Sequence, residues 1–309
     1  MRSARGAASR TIANARLIRS LVGSDESQRN WINATRVAIR RAYDANYSEA
    51  MTTFDELVAI DCGVLDDAAD LGARLTAEQW RTPTACTGWT VADMVAHIID
   101  IEQVLLDDPR PDHEPNWDSM PWVDRDLSRF TEIGVDARRG LPQAEVVAEL
   151  RETTERRMAQ LEAGPHDLDT LVPGFFGKQT PIGRQLSRRI FDSWAHLQDM
   201  RMALGIDEGW DSIAGRVVRG QLIDGAEHAW SALDKAPLDA VCIALTDIGE
   251  TISFGDSPEI TTISMTWPDF FARTCGRVAS DDPDWLSRVQ IDGDFDLGAR
   301  FLSAIAMTP

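Results

Sequence analysis

TPIGRQLSRRIFDSWAHLQDMRMALG, residues 180–205, reads as one long helix. Pro181 suits its first turn, where a backbone N–H has no helical partner, and Gly205 suits a left-handed stop. Ile182, Leu186, Ile190, Trp194, Leu197 and Leu204 recur at helical spacing and form one apolar face. Gln185, Arg188, Arg189, Asp192, His196 and Asp199 lie on the opposite side. A helix with an apolar face must cover it against other elements.

Three segments upstream supply the cover. From Phe54 to Leu75 the residues Leu57, Ile60, Val64, Leu65, Ala68, Leu71 and Leu75 repeat with helical period. Thr90-Val-Ala-Asp93 is a capping box with Asp in place of the usual Glu, and opens a helix from Val91 to about Leu106. Its stripe is Val91, Met94, Val95, Ile98, Ile101 and Leu105. A further helix spans Gln143 to about Leu161. Loops rich in Pro, Gly and Asp separate them at 81–89, 107–122 and 164–180. Four helices with long connections predict a four-helix bundle.

Beyond Gly205 the texture changes. Trp210 to Leu233 reads as a helix, and 240–248, 250–254, 261–267 and 289–291 as short strands. Residues 268–277 and 296–306 read as helices. The expected fold class is therefore a two-domain α+β chain. The bundle takes residues 51–207 and a small α+β domain takes 208–309. Residues 1–50 hold nine Arg, no Lys and four acids, and read as a poorly ordered N-terminal extension with Met51 opening the folded part. A targeting leader is the competing reading of that segment, and a helix across Trp31 to Tyr47 is open.

The net charge of −19 argues against nucleic acid as a partner, because the chain repels phosphate. No run approaches the ~20 apolar residues of a membrane span, and a cytoplasmic protein with no membrane partner is expected. Cys62, Cys86, Cys242 and Cys275 are scattered, without a C-x-x-C pair, and reduced thiols fit best.

Asp192 and His196 stand four residues apart, so they share a helix face with Cβ atoms ~5–6 Å apart. With one more His they would complete a two-His, one-carboxylate set, suited to catalytic zinc or to mononuclear iron(II). Periodicity alone leaves two readings: a solvent-facing Asp–His pair, or a face that lines a polar cleft. His97 lies at the edge of its helix's apolar stripe, aimed toward a neighbouring helix. A half-buried His bonded to a carbonyl is the alternative for it. His113, His166 and His228 carry no comparable pattern.

Two stretches resemble a known family. Thr87-Gly-Trp-Thr-Val-Ala-Asp-Met-Val-Ala-His97 and Arg189-Ile-Phe-Asp-Ser-Trp-Ala-His-Leu-Gln-Asp-Met-Arg201 are similar to the two signatures of the mycothiol-dependent maleylpyruvate isomerase family. These are DinB-like metal-binding four-helix bundles with a sterol-carrier-like C-terminal domain. Trp267-Pro-Asp-Phe-Phe-Ala-Arg-Thr-Cys-Gly-Arg277 and Ile291-Asp-Gly-Asp294 resemble that second module more weakly. Asp192 stands where many members have Glu, and Thr87 where Pro is common.

The resemblance implies that His97, Asp192 and His196 are both the metal ligands and the catalytic centre, with a divalent metal, Zn2+ by preference. It also implies mycothiol as thiol cofactor and a small electrophilic or unsaturated acid as substrate. The implied reaction is isomerisation or S-transfer: a metal-bound thiol becomes a thiolate, which adds to an activated double bond or displaces a leaving group. Arg201 and Arg277 are the residues expected to hold the cofactor, and with Arg273 they are candidate partners for a substrate carboxylate; an ordinary surface salt bridge is the alternative for each. Asp199 is placed to orient a ligand His through its free ring N–H, or else is a surface acid. Trp89 and Trp194 read as core anchors. A non-catalytic small-molecule or lipid-binding protein that retains the bundle is the alternative function.

Overall fold

The chain's computed structural model describes residues 53–175, 178–236, 238–257 and 260–307. The N-terminal extension, with its leader and Trp31–Tyr47 helix readings, lies outside the described residues.

Helix α1 (Phe54–Arg74) starts at a reciprocal capping box between Thr53 and Glu56. The short α2 (Ala77–Trp80) leads into the 81–90 loop. Helix α3 (Val91–Leu105) opens on the anticipated box, Thr90 with Asp93. Helix α4 (Asp126–Asp136) lies in a region the sequence reading left without structure. At its start the Arg125 N–H donates to Ser128 Oγ at 3.1 Å, and only Glu132, Gly134 and Val135 of it are buried, so its buried face is not an apolar stripe. Helix α5 (Gln143–Ala163) follows Pro142. The short strands β1 (Leu171–Pro173) and β2 (Gln179–Pro181) form a hairpin that the sequence reading treated as loop. Helix α6 (Ile182–Ala203) is the long helix quoted first; Pro181 caps it from outside, and Gly205 takes φ +69° just past its end.

Helix α1 packs against α5 and α6, and α3 packs against α4, α5 and α6. Helix α4 seats closely on α3 because Gly134 has no side chain: a Cβ there would fall 1.9 Å from the Asp100 carboxylate. Asp100 is buried and paired with Arg110 at 2.5 Å.

The C-terminal part is α+β. Helix α7 (Ile213–Ala232) precedes strands β3 (Ala240–Leu245), β4 (Glu250–Gly255) and β5 (Thr261–Met265). Helix α8 (Trp267–Thr274), the short α9 (Pro283–Leu286), strand β6 (Gln290–Asp292) and α10 (Phe295–Ala304) follow. The sheet order is β4-β3-β5-β6, with β3 and β5 parallel and the other pairs antiparallel. The fold class is thus a helical bundle followed by a small α+β part, as the sequence indicated.

Residues 53–309 cluster as one compact unit. An aromatic block joins its two parts. Trp194 of α6 stacks on Trp267 of α8 at 6.2 Å, and Trp210 and Phe271 meet both edge-on. Among the described residues no helix is long and apolar enough to cross a membrane.

The bundle interior also holds charge. Asp61 of α1 is buried with neither carboxylate oxygen hydrogen-bonded. Burial pushes its carboxyl up to about 8, and the nearby Glu102 adds to the rise against the pull of Arg189 and Arg157. The unfolded chain loses that proton near pH ~4. Between about pH 4 and about 8 the folded state therefore binds more protons, and Asp61 erodes stability as pH rises. Asn mimics the protonated form, so Asp61→Asn should be more stable than the wild type at pH 8.5 in urea denaturation. The gap should shrink toward pH 4. Parallel pH profiles for the two proteins would refute this reading.

Candidate metal centre

The 81–90 loop is tied down before it enters α3. Pro83 bridges to Thr90, and Thr84 donates to the Trp89 carbonyl from both its N–H and its hydroxyl, each at 2.9 Å. Gly88 takes φ +82° and lies against the Trp122 ring, which occupies the place a Cβ would need. This folding projects Trp89 over the start of α3. Its indole lies 5.0 Å from the His97 ring and 5.9 Å from the His196 ring, and its Nε1 donates to buried Glu132 at 2.8 Å. Trp89 is half-buried, so it walls the site instead of anchoring the core as expected; Trp194 is fully buried.

His97 projects from α3 and Asp192 and His196 from α6. Their rings and carboxylate converge. His97 Nε2 lies 3.3 Å from Asp192 Oδ2, His196 Nε2 lies 3.7 Å from Asp192 Oδ1, and the two rings meet edge-on at 4.7 Å. One ligand atom from each falls within 4.8 Å of the other two. His97 is buried, and neither ring nitrogen has a hydrogen-bond partner, since the approach to Asp192 is not aligned for one. The carbonyl-bonded alternative for His97 is therefore absent. An orphaned, buried imidazole beside a carboxylate and a second imidazole fits a divalent cation.

The electrostatics keep His97 and Asp192 in their ligand forms. Burial lowers the His97 pKa, outweighing the opposing pull of Asp192, and favours the neutral ring. Burial alone would raise Asp192, but Arg189 first, then His97 and His196, hold it well below the usual carboxylate range. Arg189 Nη1 donates to Asp192 Oδ2 at 2.7 Å and its Nε to buried Glu102 at 2.7 Å. Asp192 keeps 34 % of its side chain exposed, which leaves the cluster a side open to solvent.

Asp199, one turn beyond His196, is fully buried and meets His196 Nδ1 at 3.2 Å. Arg277, just past α8, grips it with two parallel bonds, Nε to Oδ1 at 2.9 Å and Nη2 to Oδ2 at 2.8 Å. Burial works to raise the Asp199 pKa, but Arg277 and His196 bring it down to about 2. A carboxylate on Nδ1 fixes that nitrogen as the donor, so a neutral His196 ring would present its Nε2 lone pair toward Asp192 and His97. Cys86 donates its thiol to Asp199 Oδ2 at 3.4 Å. Burial and then the Asp199 charge push that thiol up, so it stays protonated. Its partner is the carboxylate and not the imidazole, so Cys86, His196 and Asp199 do not make a nucleophilic triad.

The arginines expected at a cofactor are engaged by the chain. Arg277 is held by Asp199 and by the Cys275 carbonyl. Arg201 donates to Gln198 at 2.9 Å and to Asp67 at 3.2 Å. Arg273 donates to the carbonyls of Leu302, Val278 and Ser303, which pins the C-terminal helix; it is structural. Cys86, Glu102, Arg189 and the wall role of Trp89 escaped the sequence reading. The i, i+3 spacing of Arg189 and Asp192 was a signal for one of them; Cys86 had none, being a lone cysteine in a loop.

Residues 64–201 match the family described as the mycothiol maleylpyruvate isomerase N-terminal domain. Over these residues the bundle is similar to that family's N-terminal domain. An uncharacterized protein of Mycobacterium tuberculosis, present in two strains, is 27 % identical over 141 residues, covering 46 % of this chain and 53 % of the relative. The chain thus spans about half the length of the curated relatives it matches. Crystal structures of the mycothiol-dependent maleylpyruvate isomerase and of a point mutant superpose with a TM-score of 0.53, at 12 % and 11 % identity. They cover 78 % of this chain and 94 % of theirs, and the likeness is one of fold. It extends past the bundle into the α+β part.

Removing the Asp199 charge strands a buried guanidinium. Asp199→Asn and Arg277→Ala should each cost about 3–5 kcal/mol in denaturant unfolding. The double variant should cost clearly less than their sum, because the second change removes no further pair. In acid, the stability that Asp199 supplies is fully present above about pH 4 and is lost as pH falls toward about 2. Asp199→Asn should therefore flatten the acid limb of the stability profile. Additive costs, or an unchanged acid limb, would contradict the pairing.

Proposed function

We propose that the chain is a metal-dependent, thiol-using enzyme, an isomerase or S-transferase, in which His97, Asp192 and His196 hold one divalent ion and form the catalytic centre. The observation that carries this reading is the convergence of these side chains from two helices, with the buried His97 ring left without a hydrogen bond. Two neutral imidazoles and one carboxylate suit zinc, and three protein ligands leave a coordination position open. An ion held there supplies thiol activation, because a cation beside a sulfur stabilises its thiolate. Mycothiol is the thiol we assign, from the family match over residues 64–201 and from the mycothiol dependence of the isomerase whose fold the chain shares.

The chain's own residues do the rest. Arg189 keeps Asp192 anionic and holds it toward α3. Asp199 holds the proton of His196 on Nδ1, and Arg277 keeps Asp199 ionised. The Trp89 indole covers both rings and keeps water off that side. The exposed flank of Asp192 is where a thiol and a small electrophilic or unsaturated acid would enter. Arg277 acts here as a positioning residue. To hold the cofactor directly, Arg201 and Arg277 would have to exchange the acid partners they have now. The reading places the enzyme in the cytoplasm, with the thiol and no membrane or nucleic-acid partner.

Elemental analysis of purified protein should give one zinc per chain. His97→Ala, Asp192→Ala and His196→Ala should each lose stoichiometric metal while the helical circular dichroism signal stays. With mycothiol and a panel of electrophiles that includes maleylpyruvate, zinc-loaded protein should give an isomer or a thiol adduct by mass spectrometry. A chelator should abolish that product. Full metal content in the His97→Ala and His196→Ala variants would sink the proposal. Binding of a fluorescent fatty acyl probe by metal-free protein, without any thiol-dependent product, would favour the carrier reading.

A further inference from the structure

His196 has donors on both sides of its ring. On the Nε2 side stand Asp192 and His97. On the Nδ1 side stand Asp199 Oδ2 at 3.2 Å and, 3.4 Å from that same oxygen, Cys86 Sγ. Cys86 Sγ, His196 Nδ1 and Asp199 Oδ2 all lie within 4.8 Å of one another. Bonds of ~2.0–2.3 Å around a tetrahedral zinc put neighbouring ligand atoms roughly 3–4 Å apart, which is the spacing of the two contacts to Asp199.

We propose that Cys86, His196 and Asp199 form a second, inhibitory position for a soft divalent cation such as zinc or cadmium, and that it shares His196 with the first. The exchange balances. The ion displaces the thiol proton of Cys86, which leaves to solvent, and the thiolate, the Nδ1 lone pair and Asp199 Oδ2 become its ligands. Arg277 keeps Asp199 Oδ1 through its Nε, and its Nη2, 2.8 Å from Oδ2, shares that oxygen with the ion. The guanidinium beside Asp199 repels any cation that brings no new negative charge with it. The position therefore selects ions that bond sulfur well enough to deprotonate the thiol, over magnesium or calcium. Cys86 is half-buried, and its loop neighbours Ala85, Thr87 and Gly88 are exposed, so an ion can reach it.

The two positions exclude each other. A neutral imidazole has one N–H. With an ion on Nδ1 that hydrogen moves to Nε2, where it faces Asp192 Oδ1 at 3.7 Å. Nε2 then has no lone pair to offer the first position. Excess soft metal thus disarms the centre by drawing away a shared ligand. This exclusion rests on the assignment of His97, Asp192 and His196 proposed above; the second position itself does not.

Cadmium titration of the full metal-free chain tests both parts, read by the ultraviolet thiolate-to-cadmium charge-transfer band and by equilibrium dialysis. The wild type should bind one cadmium per chain and show only part of a one-thiolate band, because the ion divides between the positions. His97→Ala should raise the band to a full thiolate, a gain that mere structural damage does not produce. Cys86→Ser should lose the band and still bind one ion. Cys62→Ser should leave it intact. A band that survives in Cys86→Ser, or the absence of a band in every protein, overturns the second position. A band lost in Cys86→Ser but unchanged by His97→Ala, or two ions bound per wild-type chain, overturns the exclusion alone.

Discussion

The buried carboxylate of Asp199 is the constraint on which the site depends. A carboxylate taken fully out of water must be compensated by opposite charge and hydrogen bonds. Asp199 receives them from three separate places in the chain: His196 on its own helix, Cys86 in the loop before α3, and Arg277 after α8. Satisfying one side chain therefore fixes the position of the loop, the tautomer of His196 and the placement of the α+β part at the bundle's side. The Trp194–Trp267–Trp210–Phe271 block beside it adds apolar contact to the same junction.

A second buried network braces the centre from the opposite flank. Glu102 of α3 accepts Arg189 and stands 3.3 Å from Arg157 of α5, while Arg189 also reaches Asp192 and Ser193. Three helices thus meet around one carboxylate. The polar side of α6 is consequently not a solvent face. Gln185, Arg189, His196 and Asp199 are all buried, and among the residues opposite the apolar stripe Arg188 is exposed. Periodicity cannot distinguish such a helix from an ordinary amphipathic one, because a polar face buried in a charged interior has the same sequence pattern as one facing water.

That ambiguity marks the border between what was legible and what was not. The helices of the bundle were readable from their apolar stripes together with boundary signals, such as the start at Thr90 with Asp93 or the stop at Gly205 after α6. Helix α4 was not, since its buried face is only three residues and its docking depends on Gly134 meeting Asp100, a contact made across space. Size and apolarity place Trp89 in the core, but they say nothing about which surface an indole covers. A salt bridge was one of the two readings of Arg201, Arg273 and Arg277, but its partners were not legible, because the acids and carbonyls that hold them come from distant segments.

The amino-acid order alone determined the helical bundle, the α+β succession after Gly205, and the pairing of Asp192 with His196, because each of these follows from local periodicity, capping and i, i+4 geometry. Only the tertiary structure decided that His97 meets that pair with its ring unbonded, that Cys86 and Arg277 converge on Asp199, and that a polar helix face turns inward. Those outcomes depend on desolvation and charge compensation between residues far apart in the chain, and no local pattern encodes them.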